Sequence, residues 1–184
     1  MLLSILIPIH ESHAEQAKKL TDKLKAQSEG EEVEVIPYLN KGEKTKGYYR
    51  NELMDWAKGE YLCFVDADDE VSDDYVMSLL AGISYSPDCC SLRGNYFENG
   101  RFDGVFEHSI KYNEWKTTTN FVKYERNPNH LNCIKSSIAK QFKFRELNHG
   151  EDYNWSMDVF NSGLLKKEYY IDRTLYFYNY ISKK

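Results

Sequence analysis

Apolar residues fall in short unbroken blocks over the first half of the chain and alternate with polar ones over much of the second. Leu2 to Pro8 reads as one apolar run, the pattern of a strand covered on both faces. Behind it Ala14, Ala17, Leu20 and Leu24 recur at helical spacing, with Ser12 and Glu15 predicting a capping box and Gly30 closing the segment. EEVEVIPYL predicts a second strand, with Val33, Val35 and Pro37 on one face, and LNKGEKTKG a polar loop. A helix is expected over residues 48–58, stopped by Gly59 at its C-cap. EYLCFVD predicts a third buried strand, followed by a helix capped by Ser72 or Asp73, with Val76, Leu79, Leu80 and Ile83 on one face. Strand and helix alternating in this way build an α/β layer with a mainly parallel sheet and helices on both faces.

After Pro87 the pattern changes. CCSLRGNYFENGRFDGVFEHSI alternates about Asn99-Gly100, a strong hairpin signal. Residues 111–130 read as a polar, irregular loop facing substrate. LNCIK predicts a short strand and SSIAKQF a short helix. A helix is expected from Glu151 to about Asn161, closed by Gly163, and EYYIDRTLYFYNYI predicts one or two aromatic strands. A small antiparallel β portion is therefore expected in the C-terminal half of a single domain over residues 1–184.

Composition narrows the function more than the fold. A net charge of −5 argues against a protein that grips nucleic acid through a basic face. Fifteen tyrosines suit half-buried surfaces, whether a core or a sugar-lined cleft. Cys63, Cys89, Cys90 and Cys133 have neither zinc nor disulfide spacing, so reduced thiols and a cytoplasmic location are expected. The apolar N-terminus lacks the marks of a signal peptide, and no run is long enough for a membrane helix, so a protein without an integral membrane segment is expected.

FVDADDEVSDD, residues 64–74, is the richest stretch for chemistry. On spacing alone a solvated acidic turn explains it as well as a cation site does. At the carboxyl end of a buried parallel strand, where ligands bind in open α/β sheets, clustered carboxylates repel unless a cation lies among them. Few protein oxygens suit Mg²⁺ or Mn²⁺, which complete their shells with water and substrate phosphates. An EF-hand would need a glycine that this loop lacks, and a phosphatase motif would not place Glu70 where it stands. Asp73 and Asp74 fit the first turn of the next helix. In GEDYNWS, Glu151 and Asp152 open a helix, where the dipole both accounts for carboxylates and keeps one ionised as a general base needs. Arg50-Asn51 lies near the amino end of a helix, able to meet a nucleotide or diphosphate or simply to face solvent. No histidine pair has metal spacing; His130 in NPNHLN and His149 beside Glu151 stand out, and a structural or solvent-facing role accounts for each.

Together LLSILIPIHES, GYYRNELMDWAKGEYLCFVDADD and NHLNCIKSSIAKQFKFRELNHGEDYNWS resemble the family 2 glycosyltransferases of the GT-A fold. The resemblance implies a Rossmann-like domain whose residues 1–86 bind a nucleotide sugar and whose residues 87–184 carry the acceptor side and the base. It implies that Pro8, His10 and Glu11 line the nucleotide pocket, with Asn40 beside them and Arg50 against the base or ribose. Asp66, next to Ala67, would contact the nucleotide sugar. Asp68 would hold Mn²⁺ or Mg²⁺, assisted by Asp69, with His130 as a further candidate ligand. Asp152, paired with Glu151, would be the catalytic base of an inverting transfer. The implied donor is a UDP-sugar and the implied acceptor a glycan or lipid-linked hydroxyl, in polysaccharide or glycoconjugate synthesis. His10-Glu11 replaces the family's usual Tyr-Asn, and YLNKG its acidic pair. The absence of Gln-x-x-Arg-Trp points to single transfers. A sugar-phosphate nucleotidyltransferase and a catalytically silent glycan-binding module remain the alternatives.

Overall fold

The computed structural model describes residues 1–182. Its centre is β1 (Leu3–His10), which pairs in parallel with β2 (Val33–Asn40) on one side and β3 (Tyr61–Phe64) on the other. The unbroken apolar run of β1 follows from this position, because its alternate residues enter two different cores. Leu3, Ile5, Ile7 and Ile9 meet Ala17, Leu20 and Leu24 of α1 (Ala14–Gln27) and Val76, Leu79 and Ile83 of α3 (Tyr75–Ile83). Leu6 points the other way, joining Leu53 and Met54 of α2 (Lys46–Trp56), Ile138 and Ala139 of α4 (Ser136–Ala139), and Trp155 and Val159 of α5 (Glu151–Asn161). β3 splits likewise, Tyr61 and Cys63 to the first core and Leu62 and Phe64 to the second. β2 is the edge strand, which is why it tolerates Pro37.

Beyond β3 the first sheet continues through β10 (Ile134–Lys135) and β5 (Cys89–Cys90) to β11 (Glu168–Tyr169). β10 runs antiparallel to both its neighbours, and the remaining pairings are parallel. A second sheet, ordered β4-β12-β6-β7-β9-β8, is built from β4 (Glu70–Val71), β12 (Thr174–Tyr180), β6 (Leu92–Glu98), β7 (Arg101–His108), β9 (Val122–Arg126) and β8 (Lys116–Thr117). Its residues Val71, Leu92, Phe106, Leu175 and Tyr176 join the first core.

The α/β architecture with a largely parallel first sheet is as expected, and the Asn99-Gly100 turn joins β6 to β7 with positive φ at both residues, 49° and 75°. Five local expectations change. The second sheet is as large as the first and is mixed, since β12 pairs with β6 and β7 with β9 in parallel. Residues 111–130 are not irregular throughout: β8 and β9 lie within them, paired antiparallel. Ser12 does not cap α1, because a 3-10 turn over Glu11–His13 intervenes and the Ser12 hydroxyl bonds His10 Nδ1 at 2.7 Å. The helix α3 starts one residue after Asp74, so Asp73 and Asp74 precede its first turn, and Asp74 is held by Ser72 and Arg173. Finally, α2 ends at Trp56, and Gly59 is no cap. It sits where a Cβ would come within 2.6 Å of the Ser4 nitrogen, letting the entry to β3 press against β1.

All four cysteines are buried free thiols. Among the described residues no helix is long and apolar enough to cross a membrane.

Candidate active site

β3 delivers the chain to the upper edge of the first sheet, where the Val65 N–H donates to the Leu6 carbonyl at 3.0 Å and extends the ladder by one residue. The chain then turns, the Asp69 N–H closing onto the Asp66 carbonyl at 3.1 Å. The turn is fastened to β12 across the two sheets. Asp69 Oδ1 accepts from the Asn179 N–H at 2.7 Å, and Oδ2 accepts from the Tyr176 hydroxyl at 2.9 Å. Tyr176 Oη in turn accepts from the Asp66 N–H at 3.0 Å. Burial, reinforced by the Asp66 and Asp68 charges, pushes the Asp69 carboxyl well above its usual range. Both of its oxygens are thus engaged by the fold rather than turned to a ligand.

Asp66 is fixed from the other side by Arg50. Arg50 Nη2 donates to Asp66 Oδ1 at 3.0 Å and Nε to Glu151 Oε1 at 3.4 Å, while the guanidinium lies 5.3 Å from the Phe64 ring centre and 5.8 Å from that of Phe144. His130 Nε2 lies 3.4 Å from Asp66 Oδ2. Burial raises the Asp66 carboxyl, but Arg50 and His130 outweigh it and hold the group well below the usual carboxylate range. Asp66 therefore carries a fixed negative charge.

The aim of Arg50 is set by α2. Thr45 caps that helix, accepting from the Tyr48 N–H at 3.2 Å, and Gly47 lets it approach the 145–148 loop. Asn51 completes the clamp, its amide and the Phe144 backbone exchanging hydrogen bonds of 2.9 and 2.8 Å. The adjacent Arg-Asn pair therefore does two jobs: Arg50 joins the acids of the two motifs, and Asn51 ties down the segment leading to Gly150. Gly150, at φ 77°, then turns the chain into α5, burying Glu151 and placing Asp152 beyond it.

Two clefts meet at Asp66 and Tyr178, which line both. The first, about 210 Å³, lies at the carboxyl ends of β1, β2 and β3. Pro8, His10 and Asn40 form its strand-end wall, and Arg50, Ala67, Asp68 and Asp69 its floor. His10 and Asn40 are register partners in the ladder, which brings them together. The second cleft, about 270 Å³, is walled by aromatic rings of the second sheet and holds His130 and Asp152.

Of the sequence-predicted site residues, Glu11 lines neither cleft, and neither does Glu151, which is buried under Arg50. Arg50 is itself only 5% exposed; its Nη2 and Nε serve two acids of the chain, while its buried Nη1 has no partner among the described residues, which leaves one donor open at the cleft floor. Residues that sequence reasoning missed include His13, Lys46 and Tyr49 in the first cleft and Trp115, Arg126 and Tyr178 in the second. Tyr178 had a signal: Tyr176, Tyr178 and Tyr180 share one face of a strand at period two. His13, Lys46 and Arg126 had none, because their positions depend on how distant loops meet.

Asp68 alone of the three aspartates is exposed, and among the described residues no other residue hydrogen-bonds its carboxylate. Burial by the cleft walls and the nearby Asp66 raise its carboxyl, against the opposing charges of His13 and Lys46. This is a group whose ionised form a cation would favour. Among the described residues no three His, Cys, Asp or Glu side chains converge as a metal cage. A single open carboxylate of this kind suits a hard cation that takes few protein ligands and completes its shell with water or phosphate oxygens.

The model of glycosyl transferase family 2 matches residues 36–148, more than half of the chain and including Arg50 and Asp66 to Asp69. The chain belongs to that family. The match stops just short of Glu151 and Asp152. This family 2 glycosyltransferase also matches crystal structures of S. aureus TarS. Against TarS 1–349 in complex with UDP-GlcNAc the TM-score is 0.70 at 16% identity, over 100% of this chain and 60% of that one. Against TarS 1–349 in complex with UDP it is 0.67 at 17% identity, over 98% and 61%. Identity this low shows a shared fold, and the chain spans about three-fifths of TarS 1–349. No curated protein sequence matches the chain.

Proposed function

We propose that the chain transfers a sugar from a UDP-sugar to an acceptor hydroxyl, with inversion and with help from a divalent cation, in glycan or glycoconjugate synthesis. The observation that carries this reading is the meeting of two unlike clefts at Asp66, one with Asp68 at the strand ends and one with Asp152 in an aromatic wall. The crystallisation of TarS 1–349, of the same fold, with UDP and UDP-GlcNAc supports uridine as the base.

In this reading the strand-end cleft takes the nucleotide. Pro8, His10 and Asn40 face the nucleoside, and Lys46 and His13 add positive charge beside Asp68 for a diphosphate. Asp68 would hold Mn²⁺ or Mg²⁺, which when bound would offset the charge of the departing diphosphate. Asp66, kept ionised by Arg50 and His130, hydrogen-bonds a hydroxyl of the donor sugar where the clefts meet. Asp152 accepts the proton of the acceptor hydroxyl as that oxygen attacks the anomeric carbon opposite the diphosphate. Glu151 and Asp69 act through others, the first by holding Arg50 and the second by holding the turn to β12.

The test is a panel of UDP-, GDP-, CDP- and dTDP-sugars incubated with the protein and Mn²⁺, read by release of nucleoside diphosphate. Release from at least one UDP-sugar, suppressed by chelator, is expected. Release from none of them, or pyrophosphate release from a nucleoside triphosphate with sugar phosphate, would overturn the assignment.

A further inference from the structure

We propose that the aromatic cleft contains a subsite for an oxyanion carried by the acceptor, a phosphate or carboxylate, with Arg126 as its cation. The proposal rests on reading the Asp152 cleft as the acceptor side.

Three arginines of the chain are more than superficially buried: Arg50, Arg93 and Arg126. Arg50 is paired with Asp66 and Glu151, and Arg93 with Glu107 and Asp172. Arg126 has no carboxylate within ion-pair distance among the described residues. Its Nη1 donates to the Lys116 and Glu125 carbonyls at 2.6 and 2.8 Å, and among the described residues no acceptor meets Nη2 or Nε. Partial burial pulls its pKa down, the direction expected of a half-buried cation without a counter-charge.

The guanidinium is nonetheless held in place. Its carbon lies 5.2 Å from the Trp115 ring centre and 5.5 Å from that of Tyr124, so two π faces fix its plane. Around it the cleft has polar atoms to spare. His108 Nδ1, His130 Nδ1 and Trp115 Nε1 are all buried without partners, and all three residues line this cleft. Burial, then the Arg126 charge, drives His108 down to about 3, leaving it neutral near pH 7. Arg126 is thus the permanent cation of this lining, rigid, planar and with two donor nitrogens unmet. A planar fork of that kind matches a carboxylate or phosphate rather than a neutral hydroxyl. Because the donor's diphosphate belongs to the other cleft, the anion is assigned to the acceptor.

The test uses ¹⁵N-labelled protein with UDP and Mn²⁺ at saturation, so that the strand-end cleft is closed to added phosphate. Glycerol 3-phosphate and glucuronate are titrated against glycerol and glucose, following the Trp115 indole N–H, which Trp115→Phe assigns. Both anions, or one of them, are expected to shift that signal to saturation while the neutral probes leave it in place. The tighter of the two distinguishes a phosphate from a carboxylate acceptor. Arg126→Met should weaken anion binding at least about tenfold, the loss of one charge-assisted pairing, and Arg126→Lys should retain part of it. Neutral probes binding as well as anionic ones, or unchanged anion binding in Arg126→Met, would overturn the proposal. If Arg126→Met does not fold, Arg126→Lys carries the comparison, and affinity equal to wild type for both anions would overturn the bidentate subsite. Failure of UDP itself to bind would count against the donor reading alone, because the Trp115 signal reports the Arg126 subsite separately.

Discussion

Arg50 shows how one side chain can join the acids of two motifs that lie far apart in sequence. It is the only cation within ion-pair distance of Glu151 among the described residues, and with His130 it holds Asp66. Arg50→Met leaves two carboxylates without their cation, so chemical denaturation should show a loss of roughly 3–5 kcal/mol. Arg50→Lys, with one ammonium in place of a fork, should recover only part of it. Asp152 makes the opposite case. It faces the cleft, and among the described residues its carboxylate bonds only the N–H of the next residue, Tyr153, so Asp152→Asn should melt like wild type yet lower turnover by about 10²- to 10⁴-fold, as loss of a general base does. Equal losses of stability and turnover in that variant would make Asp152 structural.

At the scale of elements, the sheet order follows from packing that the sequence displays in part. Runs such as LLSILIPI, apolar but for Ser4, and YLCFV arise because each strand feeds two cores, and that pattern marks them as central. The short strands β4 and β8 were illegible as such, two residues each, since they exist only by pairing with partner strands, whereas β11 and β12 fall in the stretch read as one or two aromatic strands. The Asp66 to Asp69 cluster stood out in the sequence, but its division of labour did not. Asp69 is spent on Tyr176 and Asn179, more than a hundred residues away, and no local pattern encodes that.

Element junctions also give two predictions. Gly47→Ala would put a Cβ 1.9 Å from the Arg145 carbonyl oxygen, forcing α2 off the loop that leads to Asp152. Turnover should fall more than tenfold, a displacement effect, with the melting temperature lowered as well. Glu107 of β7 binds Arg93 of β6, Lys111, Tyr112 and Tyr170, joining both sheets. Burial raises its carboxyl, but these four bring it down to about 2 from the ordinary 4.5. A depressed carboxylate stabilises the fold fully above pH 4.5 and loses that contribution as the pH falls toward 2. Glu107→Gln should therefore cost about 3 kcal/mol near neutral pH, and its deficit against wild type should shrink over that acid window. A deficit independent of pH would show that the carboxylate charge is not what joins the sheets.

On the scale of the whole molecule, the second sheet is what sets an aromatic cleft beside the strand-end cleft of the first sheet. It covers the carboxyl ends of β1 and β3, supplies Tyr176 and Tyr178, and raises the aromatic wall opposite Asp152. The central claim is that the strand-end cleft binds a nucleoside diphosphate through a cation at Asp68. The most direct measurement is calorimetric titration of UDP into the protein with and without Mn²⁺. The account predicts one UDP per chain, binding that weakens at least about tenfold on chelation or in Asp68→Asn, and unchanged UDP affinity in Asp152→Asn. No UDP binding with Mn²⁺ present, or binding indifferent to both the metal and Asp68, would contradict it.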